Sequence, residues 1–152
     1  MPALHSSSSI SRELARVGIE AAVARAVRLG CRVCIPVMDS AGHVVSYDRM
    51  DGAPFNSAQH ARDKAYSSAG NGVATHEMWE YVKDEPQLHI GILKVVGLSV
   101  LGGGIPVVHR DQVIGAVGVS GSCGMTEDQA IAETARDAIL GGLEDVEDQR
   151  QG

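Results

Sequence analysis

The sequence predicts one α+β domain built on an antiparallel sheet. Apolar residues follow a helical period near both ends of the chain, and short apolar runs separated by polar turns fill the middle. The predicted order is helix, two strands, helices, three strands, helix. Because hairpins join neighbouring strands, we expect an antiparallel sheet with helices packed on it. A chain of 152 residues is long enough to bury such a core.

Composition and charge restrict the functional classes. The net charge of −6 argues against a nucleic-acid partner, because phosphate binding needs a basic surface. No stretch is apolar enough to span a bilayer, and the opening MPALHSSSSIS lacks a signal-peptide pattern, so we expect a cytoplasmic location and no membrane partner. Three cysteines, an odd number, do not describe a disulfide framework.

The first predicted helix follows a flexible lead over residues 1–9. Its predicted buried face consists of apolar residues at steps of three or four: Ile10, Leu14, Val17, Ala21, Ala24 and Val27. Gly30 is predicted to end this helix. The domain is expected to cover residues 10–142. An acidic tail over residues 143–152 follows, with Glu144, Asp145, Glu147 and Asp148 in solvent.

A hairpin is predicted over residues 33–48, with a turn at residues 39–42. Pro36 places the first of its strands at an edge or a bulge. The next helix is predicted to begin at Asn56 or Ser57 and to end near Ala69, with a stripe of alanines that allows close packing on the sheet. Thr75 is predicted to cap a short helix that ends before Pro86, and residues 87–94 remain ambiguous.

The C-terminal part of the chain is predicted to supply three strands and a helix. Val95–Leu101 is the third strand of the predicted sheet. The runs 105–108 and 113–119 form a hairpin around a polar tetrapeptide, with glycine loops before and after it. Thr126 and Gln129 match a capping box at the start of the last helix. Its predicted buried face consists of Ile131, Ala135, Ala138 and Ile139.

Four segments in this order resemble the GlcG/HbpS-like family: PVMDSAGHVVSYDRMDGA, SAQHARDKAYSSA, GGGIPV and VIGAVGVSGSCGMTEDQAIAETA. The resemblance implies a profilin-like fold with a five-stranded sheet, and homo-oligomers from dimers to hexamers or octamers. It also implies haem binding or, in relatives, catabolic and lyase activity on small organic acids. Fold and family do not fix the chemistry. Residues 71–94 match no motif of the family.

A cationic cluster is the first candidate site. Arg49 follows the second strand, and His60 and Lys64 lie four residues apart on the next helix. The loop 121–124 leads into a helix N-terminus, whose free N–H groups favour an anion. We therefore expect Arg49 and Lys64 to hold a substrate carboxylate, with His60 or an acid moving protons. The alternative is that these cations pair with nearby acidic residues.

Backbone and small polar groups complete the predicted site. The N–H groups of Gly103, Gly104 and Gly121 are candidate donors to a ligand oxygen. The remaining candidate ligand-binding residues are Ser120, Cys123 and Tyr66. Cys123, near a helix N-terminus, is either a nucleophile or a small residue in a tight loop.

Other motifs are incomplete. Cys31 and Cys34 spell CxxC, but a helix precedes them and a strand follows, which is the reverse of a redox motif. No zinc site is predicted. The segment HEMWE lacks the second histidine of a zincin. It forms either a lid or a pocket wall, in which Glu77 or Glu80 could serve as general base.

Two functions remain open. In the first, the protein is a cofactor-independent lyase, isomerase or hydrolase acting on a small carboxylate-bearing compound, aromatic or aliphatic, since no motif requires a cofactor. In the second, it binds haem without other turnover. Haem needs an axial ligand, for which the candidates are His43, His60, His76, His89 and His109. A small-molecule ligand is expected in either case.

Overall fold

The structure, a computed structural model, describes residues 3–151 and confirms the predicted α+β class. The elements follow the order helix, two strands, three helices, three strands, helix. They are α1 (Arg12–Leu29), β1 (Val33–Asp39), β2 (Val44–Arg49), α2 (Ser57–Asn71), α3 (Thr75–Val82), α4 (Pro86–Ile92), β3 (Gly104–His109), β4 (Gln112–Gly118), β5 (Ser120–Gly121) and α5 (Met125–Gln151). Between residues 3 and 151, no helix combines the length and apolar character needed to cross a membrane.

The five strands form one antiparallel sheet in the order β2-β1-β4-β3, and β5 pairs with the start of β1. Because β1 lies inside the sheet, Pro36 does not mark an edge. The other predicted possibility, a bulge, agrees better, since the β1–β2 register shifts between Val37 and Met38. Pro36 is tolerated there because the neighbouring chain passes from β4 to β5 opposite it. β4 pairs with residues 37–39 and β5 with residues 33–34, so no ladder partner faces Pro36 on that side.

The predicted strand Val95–Leu101 is also wrong, since this segment is irregular. The Ser67 hydroxyl of α2 accepts a hydrogen bond from the Ser99 N–H at 2.8 Å, and its single proton is shared between the Asp63 carbonyl at 2.7 Å and the Gly97 carbonyl at 3.1 Å. These contacts occupy backbone groups that a strand would use for its ladder. The fifth strand is instead the short β5.

The helices cover both faces of the sheet. On one face, Ile35, Val37, Val117 and Val119 join the apolar side chains of α1 and α5 in the main core. On the other face, the predicted alanine stripe of α2 is confirmed, with Ala61 and Ala65 fully buried. α2 lies so close to the sheet that a Cβ atom added at Gly118 would stand 2.0 Å from the Ala61 carbonyl oxygen.

The predicted buried face of α1 is wrong by part of a turn. Val17 and Val27 are 42% and 63% exposed, whereas the buried positions are small or lie one residue away: Ala15, Gly18, Ile19, Ala22 and Ala26. Close packing of α1 against α5 selects these residues, because the side chain of Ile139 fills the space over Gly18. The predicted end at Gly30 is confirmed.

The last helix begins at Met125, one residue before the predicted cap. The N–H of Gly124 donates to the Glu127 carboxylate, so the predicted Thr126–Gln129 capping box does not form and Gln129 is free for another contact. Ile131, Ala135 and Ile139 are fully buried, as predicted. Beyond residue 142 the helix continues to Gln151, and Glu147 lies 3.3 Å from the His109 imidazole and 3.2 Å from the Arg110 guanidinium.

Candidate functional site

A buried ion pair lies where α2 meets α5. Lys64 is only 2% exposed, and its ammonium donates to the Val119 carbonyl and to the Asp128 carboxylate, both at 2.9 Å. Asp128 is 5% exposed, and its other carboxylate oxygen has no hydrogen-bond partner among residues 3–151. Burial raises the pKa of Asp128, and the neighbouring Lys64 ammonium opposes that rise. Lys64 therefore neutralises an internal carboxylate, and both of its hydrogen-bond acceptors lie inside the protein.

The glycine run 102–104 passes directly over this pair. Gly103 has a φ of +115°, and an added Cβ would lie 2.9 Å from the Asp128 Cβ and 3.1 Å from the Lys64 Nζ. Only glycine combines that backbone conformation with so close an approach. The glycine run thus closes the ion pair off from solvent.

Two of the three N–H groups that were predicted to hold a ligand oxygen, those of Gly103 and Gly104, already have acceptors. Gly103 donates to the Gln129 side chain and Gly104 to the Thr75 hydroxyl, each at 3.0 Å. Thr75 in turn donates to the Leu101 carbonyl. Thr75 is the first residue of α3 rather than its cap, which is Ala74. The glycine run is therefore a fixed wall, held by α3 and α5.

Beside this wall lies a cavity of about 570 Å³, here called the His76 cavity. Its walls come from α3, from the glycine run with the two residues before it, and from the first turns of α5. The lining residues are His76, Trp79, Val100, Leu101, Gly102, Met125, Thr126 and Gln129. Most of the lining is apolar, with one imidazole at an exposed position. The N-terminal turn of α5 adds backbone N–H groups, which favour a carboxylate or another anion.

The segment HEMWE thus forms a wall of the cavity, one of the two roles considered for it. His76 and Trp79 lie on the same side of α3, three residues apart. The Trp79 ring also packs edge-on against His89 of α4, with centroids 5.0 Å apart. The two acids proposed as general base make local contacts instead: Glu77 accepts from the Ala74 N–H, and Glu80 pairs with Lys83.

The lining of this cavity contains His76, one of the candidate haem ligands, but none of the residues predicted to form the anion and ligand-binding site. Arg49 ends β2 and Gly104 begins β3, and these strands are opposite edges of the four-strand path, roughly 14 Å apart at ordinary strand spacing. His60 is exposed on α2. Tyr66 lies over Gly42 and Gly97. Ser120 pairs with Cys34 of β1, whose other neighbour is Arg49 of β2, so these two predicted residues lie near each other. α3, rather than α2, forms a wall of the His76 cavity.

Cys123 forms a disulfide bond with Cys31, so the expectation that the cysteines form no disulfide is wrong. The two residues are 92 positions apart in sequence, yet pairing of Val33 with Gly121 brings their Cα atoms to 5.6 Å. The free cysteine is the buried Cys34. With this bond formed, Cys123 has no free thiol. Of the two CxxC cysteines, Cys31 is disulfide-bonded and Cys34 is a buried free cysteine.

Sequence reasoning noted the histidine and tryptophan of HEMWE but could not place them. The missing signal is tertiary: residues 76–79, 100–102 and 125–129 meet only because Thr75 and Gln129 both bind the glycine run. The helical spacing of His76 and Trp79 can be read from the sequence. The segments that face them across the cavity, residues 100–102 and 125–129, cannot.

Comparisons with known proteins agree with this fold. Residues 10–137 match the model of a family described as haem degrading protein HbpS-like. Protein GlcG of Escherichia coli K12 is 32% identical over 111 residues, which are 73% of this chain and 81% of GlcG. The crystal structure of Klebsiella pneumoniae ORFY superposes with a TM-score of 0.86 at 30% identity, covering 92% of this chain and 97% of ORFY.

A structure with a bound cofactor is also similar. The crystal structure of a PduOC complex with haem superposes with a TM-score of 0.75 at 27% identity, and the match covers 86% of this chain and 94% of PduOC. The family match spans residues 10–137, a range that contains the segments lining the His76 cavity.

Proposed function

Since the chain belongs to the HbpS-like family, we propose that it binds haem in the His76 cavity. The observation that supports this proposal is an apolar cavity of about 570 Å³ with a single histidine at its edge. Haem needs an axial ligand and an apolar enclosure. His76 would supply the ligand, and Trp79, Leu101 and Met125 would contact the macrocycle.

The acidic groups of haem also find partners in this arrangement. A propionate would lie near the first turn of α5, where Thr126 has a hydroxyl and the helix dipole favours negative charge. The buried Lys64 would take no part, because Asp128 and Val119 occupy its ammonium. Bound haem would supply redox chemistry and absorb visible light, and the side chains that line the cavity would orient it.

Haem titration tests this proposal. We expect a Soret band that saturates at one haem per chain, and His76→Ala should weaken binding at least tenfold and move the band, because the axial ligand is lost. The matched control is His43→Ala in the β1–β2 turn, where the side chain is 80% exposed and outside the cavity. Unchanged affinity and an unchanged spectrum in His76→Ala would reject this site.

A second candidate function is turnover of a small carboxylate-bearing aromatic compound by cofactor-independent lyase chemistry. It is supported by the α5 N-terminus and the Trp79 ring at the same cavity, with His76 in position to move a proton. In this variant of the hypothesis, first-turn N–H groups of α5 replace Arg49 and Lys64 as the anion site.

Thermal denaturation separates the two candidates. The second predicts that benzoate raises the melting temperature more than neutral benzyl alcohol does, and that Trp79→Ala removes the difference. Equal shifts for the acid and the alcohol would count against an anion site. Such a result would leave the haem proposal to the spectroscopic test.

We further propose that copies of the chain associate into a homo-oligomer. Ile90 and Leu93 are 61% and 77% exposed on and after α4, and apolar side chains exposed to this degree favour burial between copies. Light scattering would measure the mass, and Leu93→Glu should lower it.

The predicted cytoplasmic location stays a proposal, and the Cys31–Cys123 bond, typical of oxidising compartments, weighs against it.

A further inference from the structure

A second cavity of about 620 Å³ lies on the other side of α3. Met78, Tyr81 and Val82 form its α3 wall, and Leu88 and Ile92 of α4 form the wall opposite. We call it the α4 cavity. α3 therefore separates two cavities, with residues 76 and 79 lining one and residues 78, 81 and 82 lining the other. The helical period allows this, because positions two residues apart point in different directions.

The α4 cavity differs chemically from the His76 cavity. Its lining, all within the described part of the chain, contains no charged side chain, no histidine and no N-terminal turn of a long helix. The polar groups are the amides of Asn71 and Gln87 and the Tyr81 phenol, and one Asn71 N–H already donates to the Ser67 carbonyl. A carboxylate entering this cavity would lose its hydration without gaining a cation, which is costly. The chemistry therefore favours a neutral molecule.

The cavity walls are poorly buried for their apolar content. α4 buries none of its residues, and Leu88, Tyr81 and Val95 are 55%, 70% and 52% exposed although all three line the cavity. An occupant would remove this apolar surface from water and so gain hydrophobic free energy. The cavity also lies within the size range of sites for drug-sized ligands.

We propose that the α4 cavity is a second binding site, which takes a neutral, mainly apolar small molecule with at most a hydroxyl or carbonyl group. This site is independent of haem or carboxylate binding in the His76 cavity, since the two share no lining residue. The amides of Asn71 and Gln87 would accept or donate a single hydrogen bond to the ligand. Gly91 provides an open stretch of backbone in the α4 wall.

Gly91 gives a direct test with a matched control. A Cβ atom added at Gly91 or at Gly70 of α2 would meet no protein atom within 4 Å, but only Gly91 lines the cavity. The probe is N-phenyl-1-naphthylamine, a neutral dye that fluoresces in apolar sites. We expect saturable binding at one dye per chain, an affinity at least tenfold weaker in Gly91→Leu, and an unchanged affinity in Gly70→Leu.

A second pair of variants keeps the proposal testable if Gly91→Leu misfolds. Val95 lines the cavity, whereas its neighbour Val96 does not and is 95% exposed. Val95→Glu should abolish dye binding, and Val96→Glu should retain it whatever its effect on molecular mass. Equal dye binding in wild type and Val95→Glu would overturn the proposal. Equal loss in both glutamate variants, with a fall in mass, would also overturn it and assign the face to contacts between copies.

Discussion

At the residue scale, the Lys64–Asp128 pair shows both the reach and the limit of local sequence patterns. Helical spacing with His60 marked Lys64 as a cation that meets an anion, and it does meet one. The partner lies 64 positions later in α5, however, and no local pattern connects the two. The anion that pairs with Lys64 depends on how α2 packs against α5. No short sequence motif specifies that packing.

Removing one partner of this pair should be far more costly than removing both. Lys64→Met leaves a buried carboxylate and Asp128→Leu a buried ammonium, so each should lower the free energy of unfolding by about 3 kcal/mol or more. The double variant should recover most of the loss, because neither charge remains. Urea denaturation of the four proteins measures the coupling. Additive losses would show that the pair is not coupled.

The same pair predicts a pH dependence. A raised pKa of Asp128 means that the native state keeps a proton which the unfolded chain has released, so this carboxyl's contribution to stability falls as pH rises above the unfolded value of about 3.9. In Lys64→Met the opposing ammonium is gone and the fall should be steeper. Urea midpoints at about pH 4.5 and 7 check this, with Lys64→Met/Asp128→Leu as the control that lacks the carboxyl.

At the element scale, the contact between α1 and α5 depends on a residue without a side chain. A Cβ at Gly18 would lie 2.6 Å from two side-chain atoms of Ile139, which is fully buried. Periodicity arguments rank positions by hydrophobicity and so selected Val17 and Val27. The packed face instead selects small residues, because the two helices approach closely.

Gly18→Leu should therefore destabilise the protein by about 2 kcal/mol, despite the better helix propensity of leucine, because the added atoms force the core apart. Gly70→Leu is the matched control in α2: nothing lies within 4 Å, and helix propensity alone should raise stability by up to about 1 kcal/mol. Urea denaturation of both variants gives the comparison. Stabilisation by both substitutions would contradict the close contact.

Elements defined by their own residues were predictable, and those defined by distant partners were not. The hairpin at residues 33–48 follows from alternation and a turn in which the Asp39 carboxylate accepts from two backbone N–H groups. The apolar run 95–101 looks like a strand, yet Ser67 takes its backbone hydrogen bonds. A hydroxyl on another element cannot be recognised from the run itself.

At the scale of the whole molecule, the Cys31–Cys123 bond encloses α2, α3, α4 and all five strands of the sheet in one covalent loop. A loop of this length restricts the unfolded chain strongly, by about 4–5 kcal/mol in the chain-entropy account. The candidate site has the same origin in long-range structure, since its walls come from three distant segments. Sequence analysis identified the family and the class of fold, but it joined Arg49 to the glycine run 102–104, which leads into β3 at the opposite edge of the sheet.

Cys31→Ser/Cys123→Ser should lower the melting temperature in oxidising buffer, because the unfolded chain regains the freedom that the bond removes. In reducing buffer the wild type should melt where the variant does, which serves as the internal control. Calorimetry under both conditions measures this. Identical melting temperatures in oxidising buffer would show that the bond does not form in solution.

The same bond also determines how the chain responds to cutting. Lys83 and Lys94 are exposed on either side of α4 and are candidate sites of tryptic cleavage. Both cuts fall inside the covalent loop, and the two large fragments would stay joined through sulfur. A nicked molecule would run as one band on a gel without reductant and as two bands with it. Cleavage of the backbone next to α4 would therefore leave the two large fragments covalently joined in one molecule.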